Sequence, residues 1–123
     1  MKKKFVRVIV PINSEYLIIS ENREGAYWNF PGGKVEIDES IQEACLREVY
    51  EETSLLIEKI DFLHKFVFNE WEGYYFLARR YSGQICLKEK KSIEYKSISL
   101  DEFLDYSAYI YIIMNYIKES IHL

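Results

Sequence analysis

Residues 33–55 read GKVEIDESIQEACLREVYEETSL, and the rest of the chain is organised around them. Within six consecutive residues stand one arginine and three glutamates: Arg47, Glu48, Glu51 and Glu52. At about 100° per residue, the three glutamates fall on one face of a helix, one turn deep. Like charges at this spacing repel by a few tenths of a kcal/mol per pair in water, and more strongly when they are partly buried. A divalent cation would turn that repulsion into attraction, so the pattern indicates a metal site.

The glutamates stand at the end of a segment that predicts a helix over residues 38–52. Asp38 is expected to cap it, and Glu39 lies in the first turn, where the helix dipole favours a negative charge. Apolar residues cover most of the remaining circumference: Ile41, Ala44, Cys45, Leu46, Val49 and Tyr50. Packing on two sides is therefore expected, which argues against a purely solvated glutamate face.

The rest of the chain predicts more strand than helix. Runs of β-branched and aromatic residues between turn residues indicate strands over residues 5–12, 16–20, 27–30, 55–68, 71–81, 84–88 and 94–99. Residues 31–33, Pro-Gly-Gly, are expected to interrupt regular structure. A helical turn is expected over 101–104, and apolar spacing predicts an amphipathic helix over 106–120. This order predicts an α+β fold with a mixed β-sheet sandwiched between α-helices.

Composition and charge limit the class of protein. The chain has 123 residues, of which 49% are hydrophobic and 16% aromatic, so one domain over residues 1–123 is expected to bury its own core. The formal net charge of -4 argues against a protein that coats nucleic acid through bulk electrostatics. No DNA partner is expected and RNA is disfavoured, whereas a small anionic substrate is compatible if metal ions supply positive charge.

Cysteine usage and hydropathy indicate the compartment. Two cysteines, Cys45 and Cys86, are too few for a disulfide framework or a zinc site. Both are expected to be small reduced core residues, as in a cytoplasmic protein. No run is long enough to span a bilayer, so no membrane association is expected. A homodimer is compatible with the sequence, which does not determine the oligomeric state.

Taken as a whole, the stretch resembles the Nudix box. That pattern is Gly, five residues, Glu, seven residues, Arg-Glu, an aliphatic, any residue, Glu-Glu, any residue, Gly and an aliphatic. The matching positions here are Gly33, Glu39, Arg47, Glu48, Val49, Glu51, Glu52 and Leu55. Residues 28–33, Trp-Asn-Phe-Pro-Gly-Gly, resemble the usual lead-in. Ser54 stands where the family has a glycine, which usually ends the helix in a left-handed conformation.

The resemblance to this family, including its MutT-like members, implies a hydrolase that needs Mg²⁺ or Mn²⁺ and acts on a nucleoside diphosphate linked to another moiety. It implies that Glu48, Glu51, Glu52 and the Gly33 carbonyl are metal ligands. Glu48 is also the candidate that activates water. Arg47 is expected to orient a glutamate through a bidentate pair. Glu39 is expected to be structural or to hold a residue that binds the metal, without binding the metal itself.

Three questions stay open at this point. In some families of the superfamily the general base lies in a later loop, where Glu89 and Glu94 are candidates. Several aromatic residues are candidates for stacking a nucleobase, namely Tyr27, Trp28, Trp71, Tyr74 and Tyr75, of which Trp28 and Tyr74 are selected. The expected substrate is a nucleoside triphosphate or a dinucleoside polyphosphate. The alternatives are removal of a 5′ phosphate or cap from RNA and a nucleotide sensor without turnover.

Overall fold

The structure is a computed structural model, and it describes residues 2–20, 27–87 and 94–121. The described strands form two four-stranded sheets. Sheet A has the order β5-β1-β7-β6, and its strands are β1 (Lys3–Ile9), β5 (Gly32–Lys34), β6 (Leu56–Phe68) and β7 (Trp71–Ser82). Strands β1 and β7 run parallel, whereas the other two pairs are antiparallel, so sheet A is mixed.

Sheet B is built around its own central strand, β3. Its strands are β2 (Pro11–Ile12), β3 (Glu15–Ser20), β4 (Trp28–Asn29) and β8 (Glu94–Ile98), and all pairings are antiparallel. The helices are α1 (Ile41–Thr53), α2 (Phe103–Tyr106) and α3 (Ala108–Ile121), with a 3-10 turn at Leu100–Glu102 before α2. None of the helices in the described ranges is long and apolar enough to cross a membrane.

Strand β1 carries core residues on both faces, because successive side chains of a strand alternate. Val6 and Val8 are buried in the cluster that includes Val49 of α1. Phe5 and Ile9 belong to the opposite cluster, which contains the apolar stripe of α3. Sheet A therefore lies between α1 and α3. This confirms the predicted α+β fold, in which a mixed sheet is sandwiched between helices.

Three strand predictions are wrong in detail. The segment 5–12 is divided at Val10, so that β1 joins sheet A while β2 pairs with β3 in sheet B. Residues 31–33 do not halt regular structure, because β5 begins at Gly32 and pairs with β1. Residues 84–87 form no strand. The backbone N–H of Cys86 instead donates to the Thr53 carbonyl, which fixes this segment against the end of α1.

The start of α1 also differs from the prediction. Ser40, not Asp38, is the N-cap residue: its hydroxyl accepts from Glu43 N at 3.0 Å, and the Glu43 carboxylate accepts from Ser40 N at 2.8 Å. This reciprocal capping box satisfies two backbone donors at once. Asp38 lies two residues earlier with φ 70°, as part of the turn that leads into the helix.

The cysteine prediction is half right. Cys45 is buried on α1, and burial raises the pKa of its thiol to about 12, so it is a protonated core residue. Cys86 is exposed, which contradicts its assignment to the core. Both cysteines are free thiols, as expected.

Helix α1 ends at Ser54, which adopts the left-handed conformation with φ 70° and ψ 7°. Its N–H donates to the Tyr50 carbonyl at 2.9 Å, and its hydroxyl donates to the Cys86 carbonyl at 2.9 Å. The serine therefore makes the same backbone stop that glycine makes elsewhere. Its side chain adds a hydrogen bond that glycine cannot make.

We expect Ser54→Ala to destabilise the protein, because alanine keeps the left-handed strain and loses the hydrogen bond to Cys86. Ser54→Gly loses the same bond but removes a conformational cost of about 1 kcal/mol. Urea unfolding should therefore place the glycine variant about 1 kcal/mol above the alanine variant in free energy of unfolding. Equal stabilities for the two variants would show that the backbone conformation carries no cost.

Candidate active site

Arg47 is the centre of the polar cluster on α1. Its Nε and Nη2 donate to the two carboxylate oxygens of Glu39 at 2.5 and 2.9 Å, which is a bidentate pair. Its Nη1 donates to Glu48 at 3.2 Å and to Glu51 at 3.3 Å. Nη2 also donates to the Lys34 carbonyl at 3.0 Å, which connects the helix to β5. One guanidinium therefore holds three carboxylates and a strand together.

The charges of the Arg47–Glu39 pair are stabilised by this geometry. The hydrogen bond from Arg47 lowers the pKa of the Glu39 carboxyl below its ordinary value. The same bond raises the pKa of Arg47 above its already high ordinary value. The Glu39 side chain is 12% exposed, so solvent screens the pair only in part. Both groups are charged at neutral pH, and the pair is a fixed support for the rest of the cluster.

Two of the three clustered glutamates are buried. Glu48 and Glu52 are 2% and 1% exposed, whereas Glu51 faces solvent with 43% of its side chain exposed. Oε1 of Glu52 accepts from the backbone N–H of Gly32 at 2.9 Å. Buried carboxylates are costly unless charged or hydrogen-bonded groups compensate them. Here the compensation comes from Arg47 for Glu48 and from the backbone of β5 for Glu52.

Gly33 makes the approach of β5 to α1 possible. A Cβ added at Gly33 would collide with the carboxylate of Glu48. Any larger residue would therefore displace the glutamate or push β5 away from the helix. The glycine leaves the backbone of β5 next to a buried carboxylate.

The donor set fits a hard divalent cation by its chemistry, because carboxylate and carbonyl oxygens are the ligands that Mg²⁺ prefers. In the structure, the charges of these carboxylates are compensated by Arg47 and by the backbone of β5. In residues 2–20, 27–87 and 94–121, no three acidic, His or Cys side chains are grouped as they would be around a metal ion. Nη1 of Arg47 lies between Glu48 and Glu51, and Glu52 accepts from Gly32.

Glu48 and Glu51, but not Glu52, are among the residues that line a cavity of about 450 Å³ at the edge of sheet A. Its wall contains acidic and basic residues together with the backbone of β5: Arg7, Gly32, Gly33, Lys34, Glu36, Arg47, Glu48 and Glu51. A second cavity of about 460 Å³ is mainly aromatic, and its lining residues are Phe5, Arg7, Asn29, Gly33, Lys34, Phe68, Trp71 and Tyr109. The two cavities share Arg7, Gly33 and Lys34. Each lies within the size range of small-molecule sites.

A pair of hydroxyl groups lies beside the aromatic cavity. The hydroxyl oxygens of Tyr75 and Tyr109 are 2.6 Å apart and share a hydrogen bond. Burial raises the pKa of Tyr75, and its contact with Tyr109 raises it further, while the charge of Arg7 opposes the shift. The Tyr75 hydroxyl is therefore neutral at physiological pH. Tyr109 is the member of the pair that lines the cavity.

The predicted base-stacking residues lie elsewhere. The ring of Trp28 packs edge-to-face on Tyr106 of α2, and Lys96 covers it at 5.9 Å. Tyr74 belongs to the core cluster on the α1 side of sheet A, and its hydroxyl donates to Glu72 at 3.0 Å. Neither residue lines the aromatic cavity. Of the other aromatic candidates, Trp71 does line it.

Glu94, one of the two candidate loop acids, is not among the described residues that line either cavity. Glu94 is exposed at the start of β8 and pairs with Ser20 in sheet B. Glu89 lies outside the described residues. The aromatic residues that sequence reasoning missed are Phe5, Phe68 and Tyr109. The alternation of β1 could have indicated Phe5, because it shares a strand face with Arg7.

Comparison with known proteins identifies the family to which the chain is similar. The NUDIX domain model matches residues 2–114. An 8-oxo-dGTP diphosphatase of Buchnera aphidicola from Schizaphis graminum is 32% identical over 108 residues, which cover 83% of this chain and 82% of the relative. The phosphatase NudJ of Escherichia coli K12 is 36% identical over 59 residues, covering 47% of this chain and 39% of NudJ.

Solved structures show the same fold. The MutT protein of Methanosarcina mazei superposes with a TM-score of 0.73 at 26% identity, covering 97% of this chain and 94% of that protein. The match of the family model spans the glutamate cluster and both cavities. The chain therefore belongs to the Nudix family, as a MutT-like hydrolase that acts on phosphoric anhydride bonds.

Proposed function

We propose that this protein is a pyrophosphohydrolase of a free nucleotide that depends on a divalent cation, Mg²⁺ or Mn²⁺. The substrate class is a nucleoside triphosphate or a dinucleoside polyphosphate. The observation that carries the proposal is the junction of the two cavities at Arg7, Gly33 and Lys34. A nucleoside in the aromatic cavity would have its phosphates beside the glutamates of α1. The 8-oxo-dGTP diphosphatase among the relatives supports the same class of substrate.

The proposed ligands of the cation are the carboxylates of Glu48, Glu51 and Glu52 and the carbonyl of Gly33. When bound, the cation withdraws charge from the pyrophosphate and lowers the pKa of the attacking water. Glu48 would also accept the proton of the attacking water. Its carboxylate is buried beside Gly33 of β5. Lys34, in the wall of both cavities, adds positive charge beside the phosphates.

Arg47 is proposed to position glutamates rather than to contact the substrate. Its guanidinium is already committed to Glu39, Glu48 and Glu51 and to the Lys34 carbonyl. Glu39 in turn fixes the plane of the guanidinium through two parallel hydrogen bonds. A support of this kind acts through the orientation of the carboxylates that it holds.

We expect hydrolysis when the protein is given Mg²⁺ and a panel of nucleoside triphosphates, dinucleoside polyphosphates, sugar nucleotides and triphosphorylated RNA. Chromatography of the products identifies the bond that breaks. EDTA should abolish turnover, and added Mg²⁺ or Mn²⁺ should restore it. Without a bound cation, the carboxylate and carbonyl oxygens cannot withdraw charge from the pyrophosphate. Turnover that persists in EDTA would contradict the proposal. Saturable nucleotide binding without any hydrolysis would favour a sensor instead.

We expect Glu48→Gln to lower kcat by about 10²-fold or more, because the amide keeps the shape of the side chain but can neither accept the proton nor neutralise the cation. Steady-state kinetics with the best substrate measures the effect. Glu58→Gln is the matched control, since Glu58 is a carboxylate paired with Arg80 on the exposed part of sheet A. Wild-type turnover in the Glu48 variant would remove Glu48 from the mechanism.

We also expect Glu39→Gln to lower kcat/KM by about 10-fold, because loss of the bidentate pair lets Arg47 and the glutamates reorient. Asp61→Asn provides the comparison. It breaks another arginine–carboxylate pair of the same 2.5 Å length, between Arg79 and Asp61, which lies outside both cavities. Equal activities of the two variants would mean that the Arg47 pair stabilises the fold without serving catalysis.

A further inference from the structure

Arg7 occupies the centre of β1, on the face that the aromatic cavity shares. In sheet A its neighbours across the strands are Gly32 of β5 and Tyr75 of β7. Gly32 has no side chain, and a Cβ placed there would collide with the Cδ of Arg7. The aliphatic part of Arg7 therefore lies over the glycine, towards the edge strand. A positively charged side chain therefore occupies a position of β1 at which a strand ordinarily has an apolar core residue.

The guanidinium of Arg7 has few partners for a partly buried cation. Nη1 donates to the Phe30 carbonyl at 3.0 Å, and the group lies 5.8 Å from the ring centre of Phe5. Within the described ranges, no carboxylate is close enough to form an ion pair with it. Nε is buried and has no acceptor among the same residues. A guanidinium carries five N–H donors, and among the described residues the one hydrogen bond that this group donates is from Nη1 to Phe30.

The surroundings of Arg7 indicate the part of a ligand that it meets. Phe5, Phe68 and Trp71 line the same cavity and provide apolar faces on which a planar ring can stack. Arg7 adds donors next to these faces. Arg7 and Lys34 line both cavities, and Lys34 provides a cation for the phosphates. The closeness of the guanidinium to Phe5 places it at the aromatic end, beside the ring of a bound base.

Hydrogen-bond chemistry then selects among bases. An arginine fork matches two neighbouring acceptors in the plane of a ring, such as the O6 and N7 atoms of guanine. Adenine keeps N7 but carries an amino donor in place of O6, so it faces the guanidinium with a second donor. A donor opposite a donor leaves both groups without an acceptor at this contact.

We propose that Arg7 is a specificity-determining residue that selects nucleotides with a 6-oxopurine base over adenine nucleotides. It does so by donating to the ring carbonyl and the adjacent ring nitrogen. The inference rests on the proposed function in one respect only, namely that the joined cavities take a nucleotide. It does not depend on whether the nucleotide is hydrolysed.

Binding of monophosphates tests this inference without turnover. IMP and AMP share the same ribose and phosphate and differ in the oxo or amino group at C6, and GMP provides a second 6-oxopurine. In isothermal titration calorimetry, we expect the wild-type protein to bind IMP and GMP about 10-fold or more tightly than AMP. Arg7→Met should remove this preference by weakening IMP and GMP, with AMP affinity changed by less than about 2-fold.

Two further variants separate base selection from a structural role. Arg7→Lys keeps a cation on the strand but lacks the planar fork, so it should fold and still lose most of the preference. Lys96→Met is the matched control, because Lys96 is a cation that packs over aromatic rings, those of Trp28 and Tyr106, outside the aromatic cavity. It should bind IMP, GMP and AMP as the wild type does.

The outcomes distinguish this inference from the proposed function. An equal loss of affinity for IMP, GMP and AMP in Arg7→Met would overturn the inference, because it would place Arg7 on a group common to all three. A full wild-type preference in Arg7→Lys would overturn it as well. Turnover of nucleotides without a base preference would leave the proposed function intact and refute the role of Arg7. A base preference that depends on Arg7 in a protein without turnover would support the role of Arg7 and refute the proposed function.

Discussion

The contact of the Arg47 guanidinium with three carboxylates is the interaction on which the site depends. Glu39 fixes the guanidinium from one side, and Glu48 and Glu51 lie on the other. Without a central cation, like charges on adjacent turns of α1 would repel, and the burial of Glu48 would be unfavourable. The bond from Arg47 to the Lys34 carbonyl extends the same cluster to β5. Charge compensation and the placement of the edge strand are thus one arrangement.

Sheet A connects this cluster to the aromatic cavity. Helix α1 packs on one face of the sheet and α3 on the other, and β5 forms the edge where the two sides meet. Gly33 lies against Glu48 on the α1 side, and Gly32 lies against Arg7 on the opposite side. Two consecutive glycines therefore let one short strand contact a carboxylate on one face and the aliphatic part of an arginine on the other. The joined cavities follow this edge.

Much of this arrangement could be predicted from the sequence because it is local. The spacing of Glu48, Glu51 and Glu52 is a property of one helix, and the Ser54 stop depends on one residue. The helix start was misplaced because Asp38 and Ser40 both have side chains that cap, and only the partner Glu43 decides between them. The division of the strands into two sheets depends on pairings between distant segments, which alternation alone does not specify.

The aromatic cavity shows where sequence reasoning fails for a physical reason. Phe5, Phe68, Trp71 and Tyr109 come from four different elements, and no periodicity relates them. The positions of Trp28 and Tyr74 near the box predict that they stack on a nucleobase. Strand alternation instead directs Tyr74 to the α1 side of sheet A, and α2 covers Trp28.

The parallel pairing of β1 with β7 has a consequence for how the molecule folds. Its paired residues, from Lys3 with Trp71 to Ile9 with Leu77, lie more than half of the chain length apart. Such a pairing closes a long loop, and the entropy of closure must be lost before the contact stabilises anything. Both walls of the joined cavities depend on β1 being in place. We therefore infer that helix α1 and the β6–β7 hairpin can form early from local contacts, whereas the ability to bind a ligand arises late, when the first strand docks.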